Sequence, residues 1–319
     1  MVIGFAIATV TAGGLAFMLT LAVRPWLGRI ATVHPNARSS HRVPTPQGAG
    51  IAVVVAGLFT AVAAFALSEG VPTGMAAHVL AVAAGAITLS VLGLLDDIRG
   101  LPIVWRLAVQ GIAVAAILVT LPSEIRILPV GTPLAIERIA LFFGGVWFIN
   151  LYNFMDGIDL MSVIETVAIG LGVLILVLLG LAPAWLGWAA AALVGSVLGF
   201  SYWNIPPARL FLGDAGSLSL GLVAGALILH VAASSAVAAA IIIPLYYISD
   251  ATVTVAQRLI RGEKFWVAHR DHFYQRAVRN GAPVSRVIRE VAAANQGLHL
   301  TGPARRNYET RRSLGRPGK

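Results

Sequence analysis

Residues 76–97 read AAHVLAVAAGAITLSVLGLLDD. About twenty residues that are nearly all apolar can cross the hydrocarbon core of a bilayer as a helix. Here such a run ends in two adjacent carboxylates, Asp96 and Asp97. Similar apolar runs recur along the chain and predict nine membrane spans. They lie at roughly 2–23, 49–68, 76–95, 106–121, 137–152, 160–180, 182–202, 216–232 and 235–256.

The composition of the whole chain supports this interpretation. Of 319 residues, 58% are hydrophobic and 12% are charged, whereas a soluble globular domain carries about 25% charged residues. The alternation of apolar and polar residues that a membrane β-barrel needs is weak throughout. Cysteine is absent, which excludes disulfides and a thiol nucleophile. The sequence therefore predicts an all-α, polytopic membrane helical bundle of about nine spans, within a range of about nine to eleven.

The basic residues predict the orientation of the bundle. Of 23 Lys and Arg residues, only Arg126 and Arg138 fall in loops that strict alternation of spans places on the side of the N-terminus. Cytoplasmic loops carry the excess of Lys and Arg in membrane proteins. We therefore expect the N-terminus outside and the C-terminus inside.

Five aspartates lie at the predicted cytoplasmic ends of spans. They are Asp96, Asp97, Asp156, Asp159 and Asp214. A carboxylate next to hydrocarbon is costly and usually faces a cavity or a partner. Acids from three separate loops therefore predict a site assembled at one membrane surface. The adjacent pair Asp96-Asp97 suits a metal–diphosphate site or a general base, and a solvated helix end is the plainer alternative.

Two of these loops also carry oxygen ligands and turn residues. The polar residues before span six are Asn150, Asn153, Asp156 and Asp159. They form two pairs spaced by three residues, and on a helix each pair shares a face. Such hard oxygen ligands suit Mg²⁺, or the donors of a base and a ribose. In the loop before span eight, two prolines interrupt the helix, Phe211 could stack on a base, and Asp214 lies between glycines, where helix capping is the alternative.

Basic loops on the same predicted side are candidates for anion binding. Arg38 lies with two histidines between spans one and two, although an ordinary basic loop would look alike. His269, Arg270, His272 and Arg276 form a second group, in which Arg270 disfavours a zinc site and anion binding fits better. Asp250, near the end of span nine, is either a cavity residue or a satisfied helix-end acid.

Five motifs on alternate predicted cytoplasmic loops together resemble one family. They are Pro35-Asn36-x-Arg38-Ser39-Ser40-His41, Leu95-Asp96-Asp97, Asn150-x-x-Asn153-Phe154-Met155-Asp156-Gly157-Ile158-Asp159, Trp203-Asn204-x-Pro206-Pro207-Ala208 through Phe211-Leu212-Gly213-Asp214-x-Gly216-Ser217, and His269-Arg270-x-His272-x-Tyr274-Gln275. They resemble the polyprenyl-phosphate N-acetylhexosamine-1-phosphate transferases, or glycosyltransferase family 4, of the type that initiates O-antigen or common-antigen glycans. This family is related to the phospho-MurNAc-pentapeptide translocase. The resemblance covers roughly residues 30–280.

The resemblance implies an enzyme. It transfers N-acetylhexosamine-1-phosphate from a UDP-sugar to polyprenyl (undecaprenyl) phosphate, giving polyprenyl-diphosphate-sugar and UMP. This step initiates a cell-surface glycan such as lipopolysaccharide. The implied cofactor is Mg²⁺, with Mn²⁺ as a substitute, and the implied location is the bacterial cytoplasmic membrane. Anionic inner-leaflet lipids are expected neighbours, nucleic acid is not a partner, and a homodimer is left open.

The resemblance also implies the roles of individual residues. The catalytic residues would be Asp96 and Asp97, and the metal ligands Asp214 and Asn153. The nucleotide-binding residues would be Asp156, Asp159, Asn204 and Phe211, and the phosphate-binding residues Arg38, His269, Arg270 and His272. The distribution of apolar and basic residues, rather than the resemblance, predicts the boundaries of three regions. They are a transmembrane catalytic domain (1–256), a cytoplasmic amphipathic segment with a phosphate-binding loop (257–299) and a basic, disordered tail (300–319).

Two other classes of protein remain as alternatives. A secondary transporter with intramembrane acids would place its binding groups near the bilayer midplane and would show inverted repeats. A catalytically degenerate, lipid-binding homologue could keep the basic loops, but it would have no use for the acids at Asp96, Asp97 and Asp214.

Overall fold

The computed structural model describes residues 1–34, 43–68, 70–129, 131–234, 236–264 and 269–295. These residues form twelve helices and one short antiparallel pair of strands. The helices are α1 (Val2–Ile30), α2 (Gly50–Leu67), α3 (Ala76–Arg99), α4 (Ile103–Thr120), α5 (Leu134–Met155), α6 (Met161–Leu178), α7 (Ala184–Asn204), α8 (Asp214–Ala233), α9 (Val237–Ile242), α10 (Leu245–Ile260), α11 (Phe273–Arg279) and α12 (Val284–Asn295). The strands are β1 (Thr32–Val33) and β2 (Thr45–Pro46), with Thr32 opposite Pro46.

In the described part of the chain, eight helices, α1 to α8, are long and apolar enough to cross a membrane. They confirm the predicted all-α polytopic bundle, and the chain is a multi-pass membrane protein. Large apolar side chains such as Ile3, Leu80 and Val104 are exposed on the outer surface of the bundle. They suit contact with lipid, because in a membrane the hydrocarbon core and not water surrounds the spans.

α8 lies at the centre of the bundle, where it contacts α2, α3, α5 and α6. Glycines on two of these neighbours permit a close approach of backbones. A Cβ atom added to Gly50 of α2 would lie 2.0 Å from the backbone nitrogen of Gly216. A Cβ atom on Gly93 of α3 would lie 2.2 Å from the backbone carbonyl carbon of Asp214. Small residues at both positions therefore bring α2 and the end of α3 against the first turn of α8.

α1 and α7 form the most extensive helix pair of the bundle. A Cβ atom on Gly195 of α7 would lie 2.1 Å from the carbonyl oxygen of Thr9, and one on Gly199 would lie 2.0 Å from that of Gly13. In lipid, helices associate through such close packing because no hydrophobic force acts between them. The glycines of α7 thus decide where α1 docks.

The ninth predicted span, 235–256, is not one helix. It consists of α9 and the first part of α10, which are separated at Ile243-Pro244. Proline has no backbone N–H, and its ring clashes with the preceding turn, so a helix that hydropathy alone suggests is broken there. α10 continues to Ile260. The predicted boundary between residues 256 and 257 therefore falls inside a helix.

The segment after α10 packs back on the bundle. α12 lies on α6 with Val287, Ile288 and Val291 buried. At its end, Asn295 Nδ2 donates a hydrogen bond to Glu165 Oε2 at 2.7 Å. Residues 300–319, for which a disordered tail is predicted, lie outside the described residues.

We predict that Gly199→Ala destabilises the protein, because the new methyl group would collide with the α1 backbone at Gly13. Overpacking of this kind costs about 1–3 kcal/mol. Gly14→Ala on α1 is the matched control, since a Cβ atom there has no neighbour within 4 Å. The measurement is thermal unfolding of the purified proteins in detergent, followed by circular dichroism. Equal midpoints for the two variants would contradict the inferred contact.

Candidate active site

The first turn of α8 is held by the carboxylate of Asp97. Its Oδ1 accepts a hydrogen bond from the backbone N–H of Asp214 at 3.0 Å, and its Oδ2 accepts one from that of Ala215 at 3.3 Å. A carboxylate at this place satisfies free N–H groups and favours the helix dipole. Gly213 precedes the helix with φ +74°, and a Cβ atom there would lie 2.3 Å from Asp97 Oδ2. The glycine is therefore required both by its conformation and by the space available.

Arg106, in the first turn of α4, joins two of the predicted acids. Its Nη1 lies 2.7 Å from Asp96 Oδ2, and its Nη2 lies 3.1 Å from Asp214 Oδ2. Nη2 also donates to Asn153 Oδ1 at 3.4 Å. The Asp96 side chain is 8% exposed, so its charge needs a nearby cation. The guanidinium offsets the repulsion between the two carboxylates and gathers residues of four membrane helices at one point.

Asn153 contributes to this cluster from the last turn of α5. Its Nδ2 donates to Asp214 Oδ1 and to Ser217 Oγ, both at 2.8 Å. One turn earlier, Asn150 Nδ2 donates to Gln110 Oε1 of α4 at 2.6 Å. Side-chain amides thus tie α5 to both α4 and α8. The predicted residues that the structure brings together here are Asp96, Asp97, Asn153 and Asp214, and we name these four with Arg106 the acidic cluster.

The oxygen atoms of the acidic cluster are of the kind that Mg²⁺ prefers. Within the described ranges, no group of three His, Cys, Asp or Glu side chains is placed to hold a metal ion unaided. Magnesium sites, however, commonly use one or two carboxylates together with water and substrate phosphates. Asp214 beside the Asn153 amide is such a partial set. The residues present therefore fit a magnesium ion that is shared with a phosphate-bearing ligand.

Asp156 lies directly after α5, half-buried, next to the acidic cluster. Burial raises the pKa of its carboxyl to about 7. The charges of Asp214 and Asp159 raise this pKa further. Near neutral pH, Asp156 can therefore be a hydrogen-bond donor as well as an acceptor.

Two of the predicted nucleotide-binding residues connect the loops after α5 and α7. Asp159 Oδ2 accepts a hydrogen bond from the backbone N–H of Ala208 at 3.0 Å. Asn204 Oδ1 accepts one from the N–H of Leu160 at 2.7 Å, and its Nδ2 donates to the carbonyl of Leu210 at 3.0 Å. The amide of Asn204 is thus engaged at both ends within the protein. Contact of these two residues with a nucleotide stays a prediction.

The loop before α2 reaches the same place. Phe211 donates its backbone N–H to the carbonyl of Pro46 at 2.9 Å, and its own carbonyl accepts from the N–H of Ala49 at 3.2 Å. Gln47 Nε2 donates to the carbonyl of Asp97 at 3.1 Å. The predicted stacking residue Phe211 is therefore fastened beside the acidic cluster. Arg38 lies outside the described residues, so its predicted phosphate contact stays a prediction.

Asp250 holds the histidine-containing loop in place. Its Oδ1 lies 3.0 Å from His272 Nδ1 and accepts from the N–H of Phe273 at 3.1 Å, and its Oδ2 accepts from the N–H of Tyr274 at 3.3 Å. The hydroxyl of Tyr274 donates to the carbonyl of Phe154 at 3.1 Å. The loop is thereby tied to the end of α5, near the acidic cluster. The sequence left Asp250 as either a cavity residue or a satisfied acid. Its hydrogen bonds to the loop support the second alternative.

The two histidines of this loop stack with their ring centroids 5.0 Å apart. Burial lowers the pKa of His269 to about 4, and the neighbouring His272 and Arg258 act in the same direction. At neutral pH His269 is therefore uncharged and can offer a phosphate one N–H but no positive charge. The positively charged side chain of this loop is Arg270, which lies between the two histidines in sequence and is half-buried.

Arg106 is a residue that the sequence analysis did not single out. It is the single charged residue of α4, whose other residues are almost all apolar. A charge within an otherwise apolar helix usually faces a partner, so a signal was present. Because Arg106 stands at the edge of the predicted span 106–121, it looks like an ordinary flanking charge. Only its distances to Asp96 and Asp214 distinguish the two cases.

Comparison with known proteins assigns the family. A sequence profile described as glycosyl transferase family 4 matches residues 79–232. A probable undecaprenyl-phosphate N-acetylglucosaminyl 1-phosphate transferase of Bacillus subtilis is 26% identical over 282 residues, which cover 83% of this chain and 76% of the relative. A phospho-N-acetylmuramoyl-pentapeptide-transferase of Symbiobacterium thermophilum is 30% identical over 233 residues, or 67% of this chain and 69% of the relative.

A third relative is a decaprenyl-phosphate N-acetylglucosaminephosphotransferase of Mycobacterium tuberculosis. It is 29% identical over 248 residues, which cover 69% of this chain and 59% of the relative. The chain therefore belongs to glycosyl transferase family 4, and the resemblance stated from the five motifs is confirmed.

We predict that Arg106→Gln destabilises the protein, because Asp96 and Asp214 would then face each other without a cation. Hydrogen bonds to charged groups contribute about 1.5–3 kcal/mol each, and a loss of that size is expected. Arg99→Gln is the control, since Arg99 is exposed at the end of α3 and has no ion pair within the described residues. The free energy of unfolding is measured by denaturant titration in detergent. Similar losses for both variants would show that the bridging contact is not important.

Proposed function

We propose that this protein transfers N-acetylhexosamine-1-phosphate from a UDP-sugar to polyprenyl (undecaprenyl) phosphate, releasing UMP. The observation that carries the proposal is the acidic cluster, in which residues of α3, α4, α5 and α8 meet at one end of an apolar bundle. The names of two relatives, from Bacillus subtilis and Mycobacterium tuberculosis, state a polyprenyl-phosphate acceptor and an N-acetylglucosamine phosphate group. Neither name defines the amino sugar that this chain uses, so the proposal names the sugar only by its class, an N-acetylhexosamine.

In the proposed reaction, an oxygen of the lipid phosphate attacks the β-phosphorus of the UDP-sugar. A P–O bond forms there, and the bond from the β-phosphorus to the oxygen that bridges to the α-phosphorus breaks. UMP leaves with that oxygen, and the products are UMP and polyprenyl-diphosphate-sugar. The protein must therefore place two highly charged phosphate groups in line at a membrane surface.

Asp214 and Asn153 are the proposed ligands of Mg²⁺, with Mn²⁺ as a substitute. When bound, the ion would offset the charge of the diphosphate and of the transferring phosphoryl group. Asn153 Nδ2 donates to Asp214 Oδ1, so the two side chains are adjacent, and Asn153 would turn its Oδ1 toward the ion. Arg106 touches both residues and holds them together before substrate binds.

Asp96 and Asp97 are the proposed catalytic pair, and both are engaged within the protein. Both carboxylate oxygens of Asp97 accept hydrogen bonds from the start of α8, so Asp97 positions Asp214. Asp96 is engaged by Arg106 at Oδ2 and by the backbone N–H of Leu101 at Oδ1, so the role of deprotonating or orienting the lipid phosphate is proposed for Asp96 or Asp97. A phosphate monoester has a second pKa near 6, so at neutral pH positioning is the larger part of the role.

The remaining roles follow the location of each residue. Uridine would contact Asp156, Asp159, Asn204 and Phe211, and the phosphates would contact Arg38, His269, Arg270 and His272. Phe211 contacts Pro46 of β2, and Tyr274 contacts Phe154 at the end of α5. These contacts support a single pocket for the uridine and the phosphates. The neutral His269 would then act on a phosphate as a hydrogen-bond donor.

An apolar cleft supports a lipid acceptor. It lies between α4, α5, α8 and α9, and its walls include Ile149, Phe148, Gly221 and Gly225. Ile149 precedes Asn153 by one helical turn, and Gly221 follows Ser217 by one turn. The cleft therefore begins one turn away from the acidic cluster. A polyprenyl tail could lie in it, between helices, while its phosphate meets the acids.

The alternative functions fit less well. A transporter would need binding groups near the bilayer midplane, yet in the eight long helices described here the acids lie within about one turn of a helix end. A degenerate, lipid-binding homologue would not need the contacts that orient Asp214. The proposed location is the bacterial cytoplasmic membrane, with the N-terminus outside as the basic residues indicate.

We expect purified protein to release UMP from a UDP-N-acetylhexosamine only when polyprenyl phosphate and Mg²⁺ are both present. UMP is measured by chromatography, and a panel of UDP-GlcNAc and other UDP-amino sugars identifies the preferred donor. Addition of EDTA should stop the reaction, and excess Mg²⁺ or Mn²⁺ should restore it. UMP release that persists in EDTA would argue against a metal-dependent transfer.

We expect Asp214→Asn to lower the rate of UMP release by about 100-fold or more, because a metal ion contributes several kcal/mol of charge stabilisation. Glu124→Gln, in the exposed loop between α4 and α5, is the control and should retain full activity. Chemical cross-links or circular dichroism verify that the variant folds. A near-normal rate for folded Asp214→Asn would remove Asp214 from the metal site.

A further inference from the structure

A polar cavity of about 190 Å³ lies between the end of α10 and α11. It is lined by four arginines, Arg258, Arg261, Arg276 and Arg279, and we name it the arginine cavity. Its lining includes no residue of the acidic cluster and neither of the loop histidines. The two arginines of each helix are three residues apart, so each pair projects from one helix face toward the cavity.

The positive charge of the cavity is not balanced by protein. Asp271 is the acidic residue of its lining, and it forms an ion pair with Arg258. Glu263 also contacts Arg258, at 2.8 Å. The other three arginines, Arg261, Arg276 and Arg279, have no ion pair within the described residues. These three arginines are exposed, so water screens part of their mutual repulsion, and an anion between them would offset the rest.

Arg258, which lines the cavity, also carries a buried hydrogen-bond donor that is not used. The Arg258 side chain is 10% exposed, and its Nε is buried without a hydrogen-bond partner in the described part of the chain. A buried donor without an acceptor costs about 1–3 kcal/mol. Such groups usually indicate a ligand or solvent that completes the site. Unbalanced charge and an unused buried donor thus point to the same missing partner, an anion with several acceptor oxygens.

The surroundings of the cavity place it at the level of lipid headgroups. Tyr274 of α11 donates to the carbonyl of Phe154 in the last turn of α5, a membrane-spanning helix. Leu259 and Ile260, next to Arg261, are 54% and 86% exposed, and Phe273 is 45% exposed. Exposed apolar side chains beside cations are typical of the boundary between acyl chains and headgroups.

We propose that the arginine cavity binds the phosphate group of an anionic membrane lipid of the adjacent leaflet. The planar guanidinium fork matches two phosphate oxygens at once, which favours phosphate over a simple halide. Leu259, Ile260 and Phe273 would contact the glycerol and the first methylenes of the acyl chains. The site is independent of the acidic cluster, so it does not rest on the proposed transfer reaction.

The test compares two triple variants of the full-length protein in detergent. Arg261→Gln, Arg276→Gln and Arg279→Gln remove the unpaired arginines of the cavity. Arg29→Gln, Arg286→Gln and Arg289→Gln remove the same charge at exposed places outside it. Native mass spectrometry measures binding of dioleoylphosphatidylglycerol and of dioleoylphosphatidylcholine to each protein.

We expect the unmodified protein to bind phosphatidylglycerol more tightly than phosphatidylcholine. The cavity variant should bind phosphatidylglycerol about tenfold more weakly, which corresponds to the loss of roughly one charge-assisted hydrogen bond. The control variant should change by less than about twofold, because its three arginines are equally exposed but do not line the cavity. If the cavity variant does not fold, the single variants Arg276→Gln and Arg279→Gln give the same comparison, each with a smaller loss.

A second arm separates the two sources of phosphate. Inorganic phosphate is added instead of lipid, and thermal stabilisation of each protein is measured against chloride at equal ionic strength. Equal binding of phosphatidylglycerol by the unmodified protein and the cavity variant would overturn the proposal. Arginine-dependent stabilisation by inorganic phosphate, without any preference for phosphatidylglycerol, would overturn the lipid as the source and leave a site for free phosphate.

Discussion

The contact of Arg106 with Asp96 and Asp214 is the interaction on which one end of this membrane protein depends. Two carboxylates from different spans lie where apolar helices end, and neither would be stable there without a cation. The guanidinium holds α3, α4 and α8 together and, through Asn153, also α5. If a substrate binds here with a metal ion and phosphates, their charges would replace part of the contact between Arg106 and the two carboxylates. The arrangement of the four helices would already be in place.

That arrangement rests on close packing of helices. Gly50 and Gly93 let the backbones of α2 and α3 approach the first turn of α8, and Asp97 then reaches the free N–H groups of that turn. Where α8 begins therefore depends on the size of residues in two other spans. An apolar cleft lies on another side of α8, between α4, α5, α8 and α9, and includes Ile149, one helical turn before Asn153.

Two groups of polar residues lie around this end of the bundle. The acidic cluster belongs to the spans, whereas the histidine loop and the arginine cavity belong to the segment that starts in α10. Asp250 links the two regions, because it orients His272 while Tyr274 binds the end of α5. The acidic cluster and the histidine loop thus lie near one another at the end of α5, each with its own internal partners.

The amino-acid sequence by itself determined the class of protein, eight of its spans and the loops that carry its polar residues. These features are local, since an apolar run of sufficient length and the residues that end it are read from one stretch of chain. The ninth span was misjudged because hydropathy does not register the effect of Pro244 on a helix. Only the tertiary structure decided that Asp97 caps α8, that Asn204 is engaged by two loops, and that Arg106 is a bridge and not a flanking charge. Those facts depend on which helices become neighbours, and that is decided by packing between residues far apart in sequence.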